Sequence, residues 1–193
     1  MADRQCSLQQ HTSNMIALEK HILEAVERQA NDESVKAHAE AARLIEHIRG
    51  TLAGHVKSLE AYQDELGNEW AAAVKAAVTT VAGWLAGVYD KVREHEVSRM
   101  LRDDYTALSL AAISYTMLHT TALGNGDRTL AALAAQHLKH LTPLIVEISE
   151  VIPSVVAVEV KAHVATFDTS VVAESVSATQ EAWKARISES YAG

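Results

Sequence analysis

The sequence predicts an all-α protein built from a bundle of long helices, and two observations carry this prediction. Apolar residues recur at steps of three, four and seven positions, the spacing of a single helical face, through most of the 193 residues. Proline, which interrupts helices, occurs only at positions 143 and 153. The valines after Pro153 alternate like a strand, but no second strand candidate is present to pair with them, so this stretch is also predicted to be helical.

The first two predicted helices are separated by the sequence QANDES, residues 29–34. The stripe of the first helix is Met15, Leu18, Ile22 and Val26. The second helix is predicted to continue for about 30 residues, or roughly 45 Å, to a stop at Gly67-Asn68. Its stripe is Val35, Ala42, Ile45, Leu52, Val56, Leu59 and Leu66. Helices of this length favour a bundle.

Three more helical segments follow. The third region spans Trp70 to Val88 and is rich in small residues, and a break is expected in the charged stretch 90–104. The fourth stripe is Tyr105, Leu108, Ala112, Tyr115, Leu118 and Ala122. It ends at GNGD, where Asp127 is expected to cap the next helix. The last stripe is Leu130, Leu133, His137, Leu141, Leu144 and Ile148, and Pro143 is expected to kink this helix or loosen its middle turn.

These segments predict one bundle domain with two appendages. Residues 1–12 are expected to form a flexible amino-terminal end, and residues 13–150 the helical bundle. Residues 151–193 are expected to form a helical tail that packs on the bundle or on a neighbouring subunit. Within this tail we predict a short helix followed by a helix from about Thr169 to Ser188.

Charge and cysteine content exclude several classes of function. The 25 acidic and 17 basic residues give a net charge of −8 and form no basic block, so no binding to nucleic acid is expected. Cys6 is the only cysteine, which excludes an internal disulfide and a thiolate metal cage. The amino terminus lacks the apolar stretch of a secretory signal, so the mature chain is expected to start near residue 1. These features favour a cytoplasmic protein.

No membrane span is expected. The candidate segment, Ala76 to Tyr89, would reach only about 21 Å as a helix, whereas the hydrocarbon core of a bilayer is roughly 30 Å thick. Its Gly83 and Gly87 form a GxxxG pair, which is interpreted as close helix packing within the bundle or within an oligomer.

The order of the segments resembles the ferritin-like superfamily, and within it the YciE-type bacterial stress proteins. The resemblance lies in ALEKHILEAVERQAND from Ala17, HVKSLEAYQDELG from His55, DYTALSLAAISYTMLHTTALGNGD from Asp104 and LAALAAQHLKHL from Leu130. It covers roughly residues 15–150. It implies an antiparallel four-helix bundle, often dimeric or larger, in a family associated with stress tolerance and in some members with a carboxylate di-metal site.

The chain departs from that family where the acidic ligands are expected. Leu108, Ala111 and Ala112 stand on the predicted helix that begins near Tyr105, the third helix of the bundle in this resemblance. Gln136 and His137 stand on the last helix. A di-iron bundle needs Glu-x-x-His motifs, because positions i and i+3 grip the same pair of ions. None of the ten histidines has an acidic residue three positions earlier, so no ExxH motif exists. Because nucleophile-elbow, HExxH and nucleotide-loop motifs are also absent, no enzyme activity is predicted.

The histidine pair His137 and His140 remains the main chemical feature. The two side chains lie one helical turn apart in an apolar helix, and with a third ligand they can hold zinc, iron, copper or nickel. The candidate partners are His55 and Glu19, with His119 as a further possibility. The alternative is that no cofactor is bound: His137 is then a core histidine that is hydrogen-bonded to Tyr115 or to a backbone carbonyl, and His140 is solvated.

Two functions follow from these alternatives. The first is a non-catalytic ferritin-like bundle with a structural or stress-protective role through self-association as a homo-oligomer. The alternative is a histidine-rich metal-binding or metal-storage protein. The two hypotheses differ in whether the purified chain carries stoichiometric metal.

Overall fold

The computed structural model describes residues 2–65 and 96–190, and these ranges form helices without any strand. The predicted all-α class is thereby confirmed. The helices are α1 (Ala2–Ala30), α2 (Glu33–Lys36), α3 (Ala39–Glu65), α4 (Val97–Asn125), α5 (Arg128–His163), a 3₁₀ helix (Thr169–Val171) and α6 (Val172–Ser190). The predicted third helical region, with its Gly83–Gly87 pair, and the stop at Gly67-Asn68 lie outside the described residues.

The four long helices α1, α3, α4 and α5 surround one hydrophobic core. Helix α1 packs against α3 and α4, and α5 packs against the same two helices. Each long helix turns its apolar stripe inward, as the sequence periodicity predicts. The largest fully buried side chains include Ile16, Ile22, Leu44, Ile48, Leu52, Leu59, Leu101, Leu108, Tyr115 and Leu118.

The predicted break in QANDES is confirmed, because α1 ends at Ala30 and Asp32 caps the next helix. The Asp32 carboxylate accepts a hydrogen bond from the backbone N–H of Ser34 at 2.8 Å. The prediction of one continuous second helix is wrong, since a turn after Lys36 separates α2 from α3. Val35 of the short α2 is fully buried in the core.

The turn between α4 and α5 follows the predicted capping pattern. Gly126 adopts a left-handed conformation with φ of 79°, which ends α4. Asp127 then caps α5 by accepting a hydrogen bond from the backbone N–H of Leu130 at 2.9 Å. The other carboxylate oxygen of Asp127 accepts a hydrogen bond from the Tyr62 hydroxyl of α3. The prediction that GNGD ends one helix and caps the next is confirmed.

The boundaries predicted for the bundle domain differ from the observed helix ends. Helix α1 begins at Ala2 and buries Thr12, whose hydroxyl donates to the backbone carbonyl of Leu8 at 2.9 Å, so helix extends through the range expected to be a flexible end. The expected boundary at residue 150 falls inside α5, which continues through Pro153 to His163. Burial of the inward-facing residues beyond Ser149 holds that extension against the core.

The tail helix α6 packs on α5. The side-chain amide of Gln180 donates a hydrogen bond to the Glu150 carboxylate of α5 at 2.7 Å. Asp168 caps the 3₁₀ helix before it by accepting from the backbone N–H of Ser170. The predicted tail helix therefore starts within three residues of its expected position.

Among the described helices, α5 alone is long and apolar enough to cross a membrane, with a mean hydropathy of 1.7 over its most apolar 18 residues. One third of that window is buried against the rest of the protein. The core helix of a soluble bundle meets the same two criteria, so length and composition do not separate the two environments. The absence of a membrane span stays a prediction.

Candidate functional site

Each of the four long helices contributes a side chain to one buried polar cluster. The cluster contains Glu19 of α1, His55 of α3, Tyr115 of α4 and His137 of α5. Their exposed fractions are 0%, 3%, 0% and 2%. His140, one turn after His137, lies at the surface beside them. The structure thus brings together the four residues that the sequence selected as metal ligands, namely Glu19, His55, His137 and His140.

A hydrogen-bonded chain connects the buried carboxylate to the surface. Oε1 of Glu19 lies 3.0 Å from Nδ1 of His55, and Nε2 of His55 lies 3.1 Å from Nδ1 of His140. With Glu19 ionised, His55 donates through Nδ1–H to the carboxylate and accepts at Nε2 from His140. Both ring nitrogens of His55 therefore have partners.

A second hydrogen-bonded chain passes through His137. Its Nδ1 lies 2.7 Å from the Tyr115 hydroxyl, and its Nε2 lies 2.9 Å from Oγ of Ser58. The Ser58 hydroxyl donates to the backbone carbonyl of His55 at 2.9 Å. These bonds are all satisfied when Tyr115 donates to Nδ1 and His137 donates through Nε2–H to Ser58. The interpretation of His137 as a core histidine bonded to Tyr115 thus matches this geometry.

The two buried imidazoles lie face to face. The ring centroids of His55 and His137 are 3.8 Å apart, and the ring planes differ by 6°. The Tyr115 ring meets that of His137 edge-on, with centroids 5.1 Å apart. Both Nδ1 atoms bond to fully buried residues, whereas both Nε2 atoms bond to Ser58 or His140, nearer the surface. We call the side of the ring pair that carries the two Nδ1 atoms its core face, and the side that carries the two Nε2 atoms its surface face.

Burial governs the protonation of the cluster. It raises the pKa of Glu19, and the hydrogen bond from His55, the charge of that ring when protonated and the Tyr115 hydroxyl oppose the rise. Burial, together with the negative charge of Glu19, raises the pKa of Tyr115. Burial lowers the pKa of His137 to about 3, with repulsion from His55 and His140 in their protonated forms as a smaller contribution. His137 is consequently neutral at pH 7 and already in the protonation state that a metal ion requires.

The donor set suits a transition-metal ion such as zinc. Glu19, His55 and His137 each offer a ligand atom, and these atoms all lie within 4.8 Å of one another. Oε2 of Glu19 is buried, and among the residues described only the Tyr115 hydroxyl offers it a hydrogen bond. An ion in the cluster would supply the positive charge that a buried carboxylate otherwise lacks.

The stacking of the rings sets a condition on metal binding. A metal ion lies close to the plane of an imidazole that binds it, along the nitrogen lone pair. The planes of His55 and His137 are nearly parallel and stand apart, so they do not meet at one ion. One of the two rings therefore has to turn before both can bind the same ion, at the expense of a hydrogen bond to Tyr115, Ser58 or a neighbour.

A cleft between α3 and α5 opens onto the surface face of the two rings. Its volume is about 770 Å³. His55 and His137 contribute to its lining together with His140 and Ser58. The other lining residues are Glu46, His47, Gly50, Thr51, Gly54, Leu133, Gln136, Lys139 and Pro143. Glu19 and Tyr115 are not among them, so the cleft reaches the rings from the side opposite the carboxylate.

The sequence predicts most of the cluster but gives no indication of Ser58. His137 and His140 were conspicuous as polar residues in an apolar helix, and Tyr115 was identified as a partner of His137. Ser58 carries no signal in the sequence, because serine is common at the edge of any helix. His119, the other candidate, is half-buried on α4 and does not belong to the grouped donor set.

Comparison with known proteins adds no relative to this geometry. No protein-family model, no curated protein and no solved structure matches the chain. What describes the chain is its own structure: it is an all-α protein with a buried cluster of glutamate and histidine side chains.

Proposed function

We propose that this chain is a ferritin-like helical bundle, antiparallel in its four long helices, that binds one divalent transition-metal ion at the glutamate–histidine cluster. Zinc is the first candidate, followed by iron, copper and nickel, because imidazole and carboxylate donors suit all four. The observation that carries this proposal is the convergence of donors from three separate helices to within 4.8 Å in a buried setting.

The ligand types favour binding or storage of metal over catalysis. Two imidazoles and one carboxylate supply too little negative charge for a pair of iron ions, and the chain has no ExxH motif. Oxidase chemistry of the di-iron type therefore does not fit this cluster. Glu19 and His140 stand on opposite sides of His55, so either of them can join His55 and His137 as a third ligand.

Metal content per chain tests this proposal. The protein is grown in metal-replete medium, purified without a histidine tag and subjected to elemental analysis. We expect about one metal ion per chain. The His55→Ala, His137→Ala double variant should lose it, whereas the control His163→Ala, which alters an exposed histidine of the same helix α5, should retain it. Metal-free wild-type protein that also takes up no zinc at neutral pH would refute the proposal.

A second candidate function is a metal-free structural bundle that protects through self-association as a dimer or larger homo-oligomer. The observation that favours it is the hydrogen bonding of the cluster, in which each ring nitrogen of His55 and His137 already has a protein partner. Light scattering measures the number of chains per particle. A monomer across the micromolar range would contradict this second candidate, while the metal analysis decides the first.

A further inference from the structure

The two faces of the stacked imidazoles differ in a way that decides where an ion would bind. On the core face, Nδ1 of His55 bonds to Glu19 and Nδ1 of His137 bonds to Tyr115, and both partners are fully buried. A metal-binding histidine commonly donates the N–H of its other ring nitrogen to such a partner, which fixes the ring orientation and raises its basicity. Glu19 accepts from His55 in this way, and the Tyr115 oxygen does the same for His137 when the ring proton lies on Nδ1. Glu19 and Tyr115 thus occupy the positions of orienting groups behind two Nε2 ligands.

The surface face offers a third nitrogen at a suitable separation. Two nitrogens that bind one zinc ion at about 2.0–2.1 Å with tetrahedral geometry lie roughly 3.3 Å apart. Nε2 of His55 and Nδ1 of His140 are 3.1 Å apart. His140 is exposed and is free to follow the ion, whereas Glu19 and Tyr115 are enclosed by the core. His137 completes the set when its proton moves from Nε2 to Nδ1, where the Tyr115 oxygen accepts it, and its ring turns away from Ser58.

The cleft leaves space beside this face for another molecule. Gly50 and Gly54 lie in the middle of α3 and line the cleft, and a Cβ atom at either position would meet nothing within 4 Å. A glycine inside a helix costs about 1 kcal/mol relative to alanine. Close packing does not account for these two glycines, because no atom approaches them. Because they have no side chains, they leave open space in the cleft next to His55 and Ser58.

The charges around the cleft favour an anionic occupant. Three neutral imidazoles leave an ion with its full double charge, which an added anion neutralises. Lys139 contributes an ammonium group to the lining, whereas the other basic residue there, His47, has its Nδ1 3.7 Å from the Glu147 carboxylate. The one lining carboxylate, Glu46, accepts a hydrogen bond from Arg49 at 2.8 Å, so its charge is already paired.

We infer that the ion binds on the cleft face to His55, His137 and His140, with Glu19 as a positioning residue behind His55, and that its remaining coordination position takes a small carboxylate or similar anion from the cleft. This inference rests on the proposed metal-binding function. It adds the face, the ligand set and the class of the added ligand. Three protein ligands with one open position is the arrangement of zinc sites that bind exchangeable molecules.

Cobalt substitution tests the ligand set. The full-length chain is stripped of metal and titrated with Co²⁺, whose visible absorption reports coordination number and ligand type. Glu19→Gln preserves a hydrogen-bond acceptor for His55, so we expect cobalt to bind with about 10–100-fold weaker affinity and with bands close to those of wild type. His140→Ala should change the bands, because a ligand is lost, while His163→Ala should match wild type. Circular dichroism of each variant checks that it is folded.

The open position is tested on the same cobalt protein with acetate and azide as probes. Either anion should shift the visible bands in a saturable manner. Gly54→Leu fills the cleft without altering a ligand, so it should keep the cobalt bands and lose the response to acetate. Lys139→Gln should weaken the apparent affinity for acetate several-fold.

The outcomes separate failure of this inference from failure of the metal proposal. No cobalt binding by wild type would overturn both. Cobalt binding that Glu19→Gln abolishes and His140→Ala leaves intact would place the ion on the core face and overturn the inference alone. Cobalt bands that respond to neither anion would show a closed coordination shell and would also overturn it.

Discussion

At the scale of single residues, His137 is a titratable side chain that is buried and must stay uncharged in the folded protein. It is 2% exposed among apolar side chains, and both its ring nitrogens have hydrogen-bond partners. Protonating the ring would place a positive charge in that enclosure beside two further histidines, which is why its pKa falls to about 3. The neutral ring is thus a condition of the native packing.

The depressed pKa of His137 predicts a specific loss of stability in acid. An unfolded histidine takes up its proton near pH 6.5, whereas folded His137 takes it up near pH 3. Between these values the unfolded state binds more protons, so stability is full above pH 6.5 and falls as the pH decreases toward 3. The slope from this one group is at most about 1.4 kcal/mol per pH unit.

Denaturant unfolding of the metal-free protein between pH 3.5 and 7 measures this slope. Because other groups titrate in the same range, the comparison is with His137→Gln. This variant places an amide where the imidazole was, and the amide takes up no proton in this pH range. The free energy of unfolding of the variant should depend less steeply on pH over this window. Equal slopes in the two proteins would mean that His137 is protonated normally in the folded state.

The cluster also shows what residue patterns predict and what they do not. A polar residue at a buried helical position is visible in a sequence, and this signal points to His137, whereas His55 and Glu19 are candidates because the resemblance to the ferritin-like family places ligands near them. Which nitrogen faces which partner depends on the relative rotation and height of four helices, and no local pattern encodes these. The stacking of His55 on His137 and the bond from His137 to Ser58 therefore emerge only from the packed structure.

At the scale of helices, end signals were the most dependable predictions. The predicted break at QANDES, the turn at GNGD and the Asp127 cap are all present, because each acts through its own backbone neighbourhood. The Asp32 cap of α2 is an addition from the structure. The continuation of α5 through Pro153 was not predicted. An internal proline costs about 3 kcal/mol or more, and only tertiary burial of the residues around it, such as Val151 and Val155, offsets that cost.

Two neighbouring glycines at the end of α4 should respond to alanine in opposite directions. Gly124 is helical and exposed, and an added Cβ meets nothing within 4 Å, so Gly124→Ala should stabilise the protein by up to about 1 kcal/mol. Gly126 has φ of 79°, where a Cβ is strained, so Gly126→Ala should destabilise it by about 1–2 kcal/mol.

Urea unfolding of the two variants beside wild type measures both effects with each glycine as the other's control. The added methyl group is the same and the two sites are two residues apart, so only the backbone conformation differs. Stabilisation by both substitutions would show that the left-handed turn does not persist in solution.

At the scale of the whole molecule, the sequence predicted the all-α class because helical periodicity repeats over most of the chain. The antiparallel ferritin-like arrangement stays a prediction, since helix directions and neighbours depend on loops and on side-chain fit rather than on periodicity. The homo-oligomeric state and the cytoplasmic location also stay predictions. Each depends on molecules or compartments outside a single chain.

Metal binding should raise the stability of the whole fold, because the ion joins helices that are distant in sequence. A ligand at 100 times its dissociation constant adds about 2.7 kcal/mol to the free energy of unfolding. For a chain of this size that corresponds to roughly 5–10 °C in melting temperature. We expect zinc to produce this shift in wild type and EDTA to reverse it.

Differential scanning calorimetry with and without zinc measures the shift. The His55→Ala, His137→Ala variant should melt at one temperature under both conditions, and His163→Ala should behave like wild type. An equal zinc effect on the double variant would locate the stabilising ion elsewhere on the surface.

The origin of Glu19, His55, Tyr115 and His137 on four different helices also bears on how the chain selects its arrangement. Apolar stripes tolerate sliding, because one leucine substitutes for another at a displaced position. A slip of a single turn, about 5.4 Å, would separate the carboxylate from its imidazole and leave both dehydrated and unbonded. The polar cluster thus raises the free energy of misaligned bundles relative to the native one. Its four members come together only when all four long helices are docked in register.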